Sequence, residues 1–308
     1  MADTRKEQER TELHRVIWNI ANDLRGSVDG WDFKQYVLDM LFYRYISENL
    51  SSYLNKNEHD AGNSSFDYAK LSDADAETAR EDMVTTKGFF ILPSELFENV
   101  RAKADKDENL NVTLDGIFKH IEASAVGESE ASFRGLFADL DVNSARLGNT
   151  VARRNERLVK LMNGIASMKL GEGGYKDNTI DAFGDAYEYL MGMYASGAGK
   201  SGGEYYTPQE VSELLTRLTL VGKTQVNKVY DPACGSGSLL LKFAKILGKE
   251  NVRNGFFGQE INITTYNLCR INMFLHDIGF HQFSIVHGDT LTDPASEHWD
   301  AEPFEAIV

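Results

Sequence analysis

The spacing of apolar and polar positions divides the chain into two halves of different character. In the first half apolar residues recur at intervals of three and four, the period of one helix face. Leu13, Val16, Ile17, Ile20 and Leu24 predict an amphipathic helix over 5–24, broken by Gly26 to Gly30. Asp32 followed by Gln35 reads as a capping box for a second helix through Phe33, Tyr36, Val37, Met40 and Leu41. The polar run 55–65 reads as a loop. Further helices are predicted near 66–84, 94–104, 110–124 and 149–169, the last with Leu158, Leu161, Met162, Ile165 and Met168 on one face. Residues 86–93, with Phe89, Phe90, Ile91 and Leu92, form a short apolar run of undecided type. No strand pattern persists, so residues 1–175 read as a helical domain ending near Gly171-Glu172-Gly173-Gly174.

From 176 to 308 the pattern changes. Ile180 to Ala195 is helical, with an aromatic stripe that reads as core, and Ser196 to Gly203 is a polar, flexible loop. Thr207, with Pro208 at the first helical position and Glu210 three residues on, starts a helix through Val211, Leu214, Leu215 and Leu218. Short apolar runs at 226–231, 255–261, 283–289 and 304–308 then alternate with helical runs at 238–248 and 264–278. That alternation predicts an α/β unit with a parallel, doubly wound sheet. Ligands of such sheets sit beyond the carboxyl ends of the strands, where Asp231, Glu260 and Asp289 stand.

Composition narrows the classes. With 308 residues and 42% apolar content the chain has room for two globular domains, and no apolar run reaches the length of a membrane span. The charged N-terminus lacks the apolar stretch of a signal peptide. Two cysteines, Cys234 and Cys269, make neither a disulfide framework nor a metal-ligand set, which fits a reducing cytoplasm. The 32 Lys and Arg against 47 Asp and Glu leave a net charge of −15. A chain this acidic is a poor sequence-independent DNA binder by itself, because affinity for the phosphate backbone comes mainly from Lys and Arg. If it acts on DNA, other polypeptide must supply the positive surface.

The stretch Asp231-Pro232-Ala233-Cys234-Gly235-Ser236-Gly237-Ser238 carries the chemistry. Strand, glycine turn and helix begin a nucleotide-binding unit, in which Gly235 and Gly237 allow a sharp turn and close approach to a ligand. The dinucleotide pattern G-x-G-x-x-G fails, because its third glycine is Leu240. Asp231 would repel a pyrophosphate and suits a cationic nucleoside such as S-adenosylmethionine, which carries an ammonium and a sulfonium. Glu260, 23 residues past Gly237, can accept both ribose hydroxyls, and Asp289 can accept a hydrogen bond from an exocyclic amine such as adenine N6. Gly199-Lys200-Ser201 resembles the end of a P-loop, but the position of its first glycine is Tyr194 and no strand precedes it. The histidines show no metal-ligand spacing, so no metal site is expected.

Four segments occur in order: Gly203 to Pro208, Asp231 to Ser238, Gly258-Gln259-Glu260 and His287-Gly288-Asp289-Thr290. Together they resemble the cofactor motifs of amino-DNA methyltransferases. Leu24-Arg25-Gly26 and Leu41 to Ser47 extend the likeness to the helical half, which is similar to the modification subunits of bacterial type I restriction–modification systems. The resemblance implies a helical N-terminal domain followed by an incomplete doubly wound, Rossmann-like S-adenosylmethionine-dependent methyltransferase domain. It implies adenine N6 methylation of DNA, with a specificity subunit, a restriction subunit and a second methylation subunit as partners. Carried over by position, Glu204, Tyr205, Tyr206, Thr207, Pro208, Gln209, Asp231, Ser236, Gly237, Ser238, Glu260 and Asp289 are the cofactor-binding residues.

The family's next motif, Asn-Pro-Pro-aromatic, does not occur in these 308 residues. An amide oxygen and a backbone carbonyl must draw the hydrogens from a weakly nucleophilic adenine amine, and an aromatic ring must hold the flipped base. The expectation is therefore a fragment that keeps part of the cofactor site and has no catalytic residue. A C5-cytosine reaction needs a Pro-Cys nucleophile, which is absent. The alternatives that stand are a non-catalytic assembly module, or a methyltransferase acting on cytosine N4, RNA or protein.

Overall fold

The computed structural model describes residues 2–24, 30–168, 185–186, 188–190, 207, 209–295 and 302–308. The chain divides into two compact units, Met1–Tyr194 and Ala195–Val308.

The first unit is built around the long helix Gly30–Asp60. From Gln35 to Tyr43 every residue of that helix is buried, as expected of a helix that is apolar nearly all round. It packs against the helices Phe97–Ala104 and Val151–Ser167. Val151–Ser167 starts at Thr150, whose Oγ1 accepts the Arg153 N–H, and it also supports the N-terminal helix Ala2–Leu24. Gly164 permits that second contact, because a Cβ there would lie 2.6 Å from Ile20 Cγ1. Buried tyrosines tie their hydroxyls to the backbone: Tyr43 donates to the Glu95 carbonyl, and Tyr68 donates to that of Ile91 at 2.7 Å. Arg10 Nε donates to Asp185 Oδ2 at 3.1 Å and His14 stacks on Tyr189, so Asp185 and Tyr189 belong with this unit.

Several boundaries differ from the sequence expectation. The second helix already begins at Gly30, so Asp32 lies inside it, and Gln35 turns to Asp39 instead of capping the helix start. Residues 55–60 prolong that helix, because polar side chains are at home on an exposed last turn. The predicted helix 66–84 breaks into Tyr68–Lys70, Asp73–Ala76 and Glu77–Ala79 before the helix Arg80–Lys87, which Gly88 ends at φ +88°. Ser72 caps the second of these pieces and interrupts the run. Phe89 to Ile91 is buried and belongs to no sheet; the Phe90 N–H finds Ser124 Oγ at 2.8 Å instead of a neighbouring strand.

The second unit holds a four-stranded sheet in the order β3-β2-β1-β4, with β1 Val229–Asp231, β2 Phe256–Glu260, β3 Phe283–His287 and β4 Ala306–Ile307. Every pairing is parallel. The helices Ser238–Leu247 and Ile263–Leu275 connect β1 to β2 and β2 to β3. β1 lies between β2 and β4, so the strand order reverses there and the carboxyl end of β1 opens the crevice where such folds take ligands. The first strand is shorter than expected, since Val226 makes only an isolated bridge with Val252.

One helix of this unit faces its small polar residues inward. Gln209–Thr219 buries its polar Ser212 and Thr216 completely, while Val211, Leu214, Leu215 and Leu218 are exposed, Leu218 by 61%. Ser212 and Thr216 are small, and small side chains allow close packing on the Ser238–Leu247 helix. The apolar stripe that marks this helix in the sequence is therefore outward-facing.

Candidate functional site

Asp231 is the last residue of β1 and is 3% exposed. Its Oδ1 accepts the Ala233 N–H at 3.0 Å, and its Oδ2 is buried without a hydrogen-bond partner among the described residues. Burial pushes its pKa up to about 6; the Ala233 hydrogen bond opposes this and the neighbouring charge of Glu260 adds to it.

The loop after Asp231 is fixed peptide by peptide. The Cys234 N–H donates to the Gln259 carbonyl at 3.0 Å, which fastens the loop to β2. The Gly235 N–H donates to Glu260 Oε2 at 3.0 Å. The Gly237 N–H returns to the Cys234 carbonyl at 2.8 Å. Both glycines are left-handed, Gly235 at φ +55° and Gly237 at φ +81°, which glycine adopts without steric cost. They differ in their surroundings. A Cβ on Gly235 would meet nothing within 4 Å, so a ligand can come close there. A Cβ on Gly237 would lie 2.8 Å from Cys269 Sγ and 2.9 Å from Met273 Cε. Gly237 is small because the Ile263–Leu275 helix presses against it.

Gly237 caps the helix Ser238–Leu247 and, being glycine, offers no side-chain cap to its first N–H groups. Those groups point out of the start of the helix. Ser236 and Ser238 are half-buried on either side of Gly237. Glu260 closes β2, and its second oxygen, Oε1, accepts the Asn262 N–H at 2.8 Å. Asp289 stands two residues past the end of β3, and its Oδ1 accepts the Leu291 N–H at 3.0 Å. Thr290 Oγ1 donates to the Pro232 carbonyl and so joins the β3 loop to the β1 loop.

The structure thus brings Asp231, Ser236, Gly237, Ser238 and Glu260 together around one loop, with Asp289 on the adjoining turn. Thr207 is half-buried ahead of the helix Gln209–Thr219, and Gln209 is the first residue of that helix. Glu204, Tyr205, Tyr206 and Pro208 lie outside the described residues.

Sequence reasoning missed three supports. Gln259 Nε2 donates to the Asp293 carbonyl at 2.8 Å and its Oε1 accepts the Ala295 N–H at 3.0 Å, which holds the turn after Asp289. Gly258 must be small, because a Cβ there would lie 2.8 Å from Cys234 Sγ. Asn272 donates to the Ser236 carbonyl at 2.8 Å. Gly258 and Gln259 stand in a quoted motif beside Glu260, so their position was available; Asn272 lies in an ordinary helical run and gave no signal. Cys234 and Cys269 are buried free thiols, and their mutual hydrogen bond followed by burial drives the Cys234 pKa well up, which marks them as packing groups. No group of metal-ligating side chains is found among the described residues, and no described helix is long and apolar enough to cross a membrane.

Comparisons with known proteins agree with this fold. Residues 178–308 match the family described as N-6 DNA Methylase, and residues 13–165 match the HsdM N-terminal domain. The chain is 48% identical to the type I restriction enzyme MpnII methylase subunit of Mycoplasma pneumoniae over 97% of its own length and 55% of that protein's. The crystal structure of the type I restriction-modification system methyltransferase subunit from Streptococcus thermophilus superposes with a TM-score of 0.77 at 28% identity, over 97% of this chain and 62% of that one. A modification subunit of a putative type I restriction enzyme from Vibrio vulnificus shares the fold, with a TM-score of 0.52 at 17% identity over 98% of this chain and 60% of that one. The chain spans about half the length of the curated relative it matches over nearly its whole length. Two family matches that fall on successive parts of one polypeptide, with a parallel sheet whose first loop is the glycine turn, leave one conclusion: the chain belongs to the family of type I restriction–modification methylase subunits.

Proposed function

We propose that this chain supplies the cofactor half of a type I methylation subunit that transfers a methyl group from S-adenosylmethionine to adenine N6 in a specific DNA sequence. The observation that carries the reading is the buried, unpartnered Oδ2 of Asp231 beside the open Gly235 turn. An orphaned buried acceptor is costly unless a donor arrives, and the ammonium of the cofactor is such a donor. The fit extends along the strand ends. The free N–H groups at the start of Ser238–Leu247, with Ser236 and Ser238 beside them, suit the carboxylate. Glu260 keeps lone pairs for the ribose hydroxyls after binding Gly235 and Asn262. Ile261 and Leu291 are exposed, Leu291 by 94%, next to Glu260 and Asp289, and offer apolar surface to a purine whose amine reaches Asp289. Glu204 to Gln209 complete the site in this reading.

When bound, the cofactor supplies an electrophilic methyl on sulfur. The residues described here orient it and do not touch the acceptor base. Without an Asn-Pro-Pro-aromatic segment, the 308 residues do not polarise an adenine amine, and this chain by itself transfers no methyl group. Its charge of −15 leaves DNA contact to other surfaces, for which a specificity subunit, a restriction subunit and a second methylation subunit are the partners proposed. The boundary proposed between the helical and cofactor sequence regions is 175/176, while the compact units divide after Tyr194; the working location is the cytoplasm.

Calorimetric titration with S-adenosylmethionine tests the reading. Saturable binding by the parent chain and at least tenfold weaker binding by Glu260→Ala are expected. Equal binding by the two removes the ribose role, and methyl transfer to DNA by the purified chain alone refutes the inactivity.

A further inference from the structure

Asn272 lies on the Ile263–Leu275 helix in the run Asn267–Leu275, every residue of which is buried. It is 2% exposed. Its Nδ2 donates to the Ser236 carbonyl at 2.8 Å, while its Oδ1 is buried with no hydrogen-bond partner among the described residues. Packing alone does not favour this residue. A half-matched asparagine carries the desolvation cost of its idle carbonyl, and a leucine of the same branching does not.

The bond it makes falls on a peptide that needs holding. The Ser236–Gly237 peptide leads into the left-handed Gly237, one residue after the left-handed Gly235, and glycine leaves such a unit more than one accessible orientation. Two hydrogen bonds fix it. One runs from the Gly237 N–H to the Cys234 carbonyl inside the same loop, and moves when the loop moves. The other comes from Asn272, on a different and fully packed helix. That helix is pressed against Gly237, through Cys269 and Met273, so the contact that sets the distance and the bond that sets the orientation share one element.

We propose that Asn272 is a positioning residue for the methionine half of the cofactor. By holding the Ser236 carbonyl it fixes the loop in the orientation that aims the first N–H groups of the Ser238–Leu247 helix at the ligand carboxylate. It acts through the loop and does not touch the ligand. The inference rests on the cofactor reading given above and adds to it which half of the ligand a remote side chain governs.

Two ligands separate this role from a structural one. S-adenosylhomocysteine has the amino-acid tail, and 5′-methylthioadenosine keeps the nucleoside and thioether without it. In Asn272→Leu, affinity for S-adenosylhomocysteine falls at least tenfold, affinity for methylthioadenosine changes less than twofold, and the melting temperature is kept within a few degrees. Asn272→Asp, which presents an acceptor to the Ser236 carbonyl, shows the same selective loss and serves if the leucine variant does not fold. Equal losses for both ligands, or no loss for either, overturn the proposal. If the parent chain binds neither ligand, the cofactor reading itself fails and this inference falls with it. Hydrogen exchange of the ligand-free chain tests the latch separately: the Gly237 amide exchanges at least tenfold faster in Asn272→Leu, and an unchanged rate overturns it.

Discussion

Each unit of the molecule buries an aspartate, and the two are treated in opposite ways. Asp39, in the long helix of the first unit, is fully buried, and both of its oxygens accept from Gln35 Nε2, at 2.9 and 3.0 Å. Burial raises its pKa well above the ordinary carboxylate range, partly countered by Gln35 and reinforced by Asp139. Asp231, at the end of β1, has one oxygen on the Ala233 N–H and the other with no partner among the described residues. A buried acid matched within its own helix serves the fold. A buried acid left half-matched at a strand end, where the sheet order reverses, costs the fold stability and is poised for a donor that comes from outside. The difference between the two aspartates is a difference in what satisfies them.

The sharpest way to break this comparison lies in the loop beside Asp231. Gly237→Ala places a Cβ 2.8 Å from Cys269 Sγ at φ +81°. Strain and overpacking together cost about 3 kcal/mol or more. Gly235→Ala, in open space at φ +55°, costs only about 1 kcal/mol. Urea unfolding followed by tryptophan fluorescence and far-ultraviolet dichroism measures both, and equal costs would remove the distinction between a packing glycine and a ligand-facing one.

Asp231→Asn comes next. With a folded pKa of about 6 against an ordinary 3.8, native Asp231 holds its proton more tightly than the unfolded chain does. Its contribution to stability is therefore full below pH 4, declines as pH rises through the window 4–6, and is flat above. Asparagine lacks that decline, so the variant is more stable than the parent near pH 7 by about 2–3 kcal/mol. It binds the cofactor more weakly at the same time. Asp39→Asn leaves cofactor affinity unchanged. Melting curves at pH 4.5 and 7.5 with a parallel titration check the trade, and a destabilised Asp231→Asn at pH 7.5 sinks it.

Two smaller effects sharpen the contrast. Glu260→Gln removes one of the two carboxylate oxygens that accept backbone N–H groups and costs about 1 kcal/mol, with an affinity loss near tenfold. Thr150→Ala removes the cap of Val151–Ser167 and also costs about 1 kcal/mol, with no change in affinity. An affinity change in the second variant would show that the helical unit reports to the site.

Much of the site was legible because its residues are bound to strand ends. The alternation of apolar runs located all four strands, and a carboxylate closing such a run can stand only at the rim of a parallel sheet. Asp231 and Glu260 were placed in that way. Order within the sheet and the shortness of β1 were not legible, because pairing register depends on non-local contacts. The facing of the Gln209–Thr219 helix was not legible for a related reason. Val211, Leu214, Leu215 and Leu218 keep helical spacing whichever way the helix faces, and the packing of Ser212 and Thr216 decides the face. In the first unit the long helices were read correctly in kind, but the polar end 55–60 passed for a loop because exposed helix and loop have the same composition. Asn272 illustrates the remaining gap: its importance comes from one hydrogen bond to a backbone carbonyl 36 residues away, which no spacing rule contains.

The central claim is that the half-matched Asp231 carboxylate awaits a cationic ligand. Titration of the parent chain and of Asp231→Asn with S-adenosylmethionine from pH 5 to pH 7 tests it directly. A group titrating near 6 changes from mostly protonated to mostly ionised over that range, so parent affinity rises about tenfold while the variant stays weak and flat. Parent affinity that does not change with pH, or a variant that binds as tightly as the parent, would contradict it.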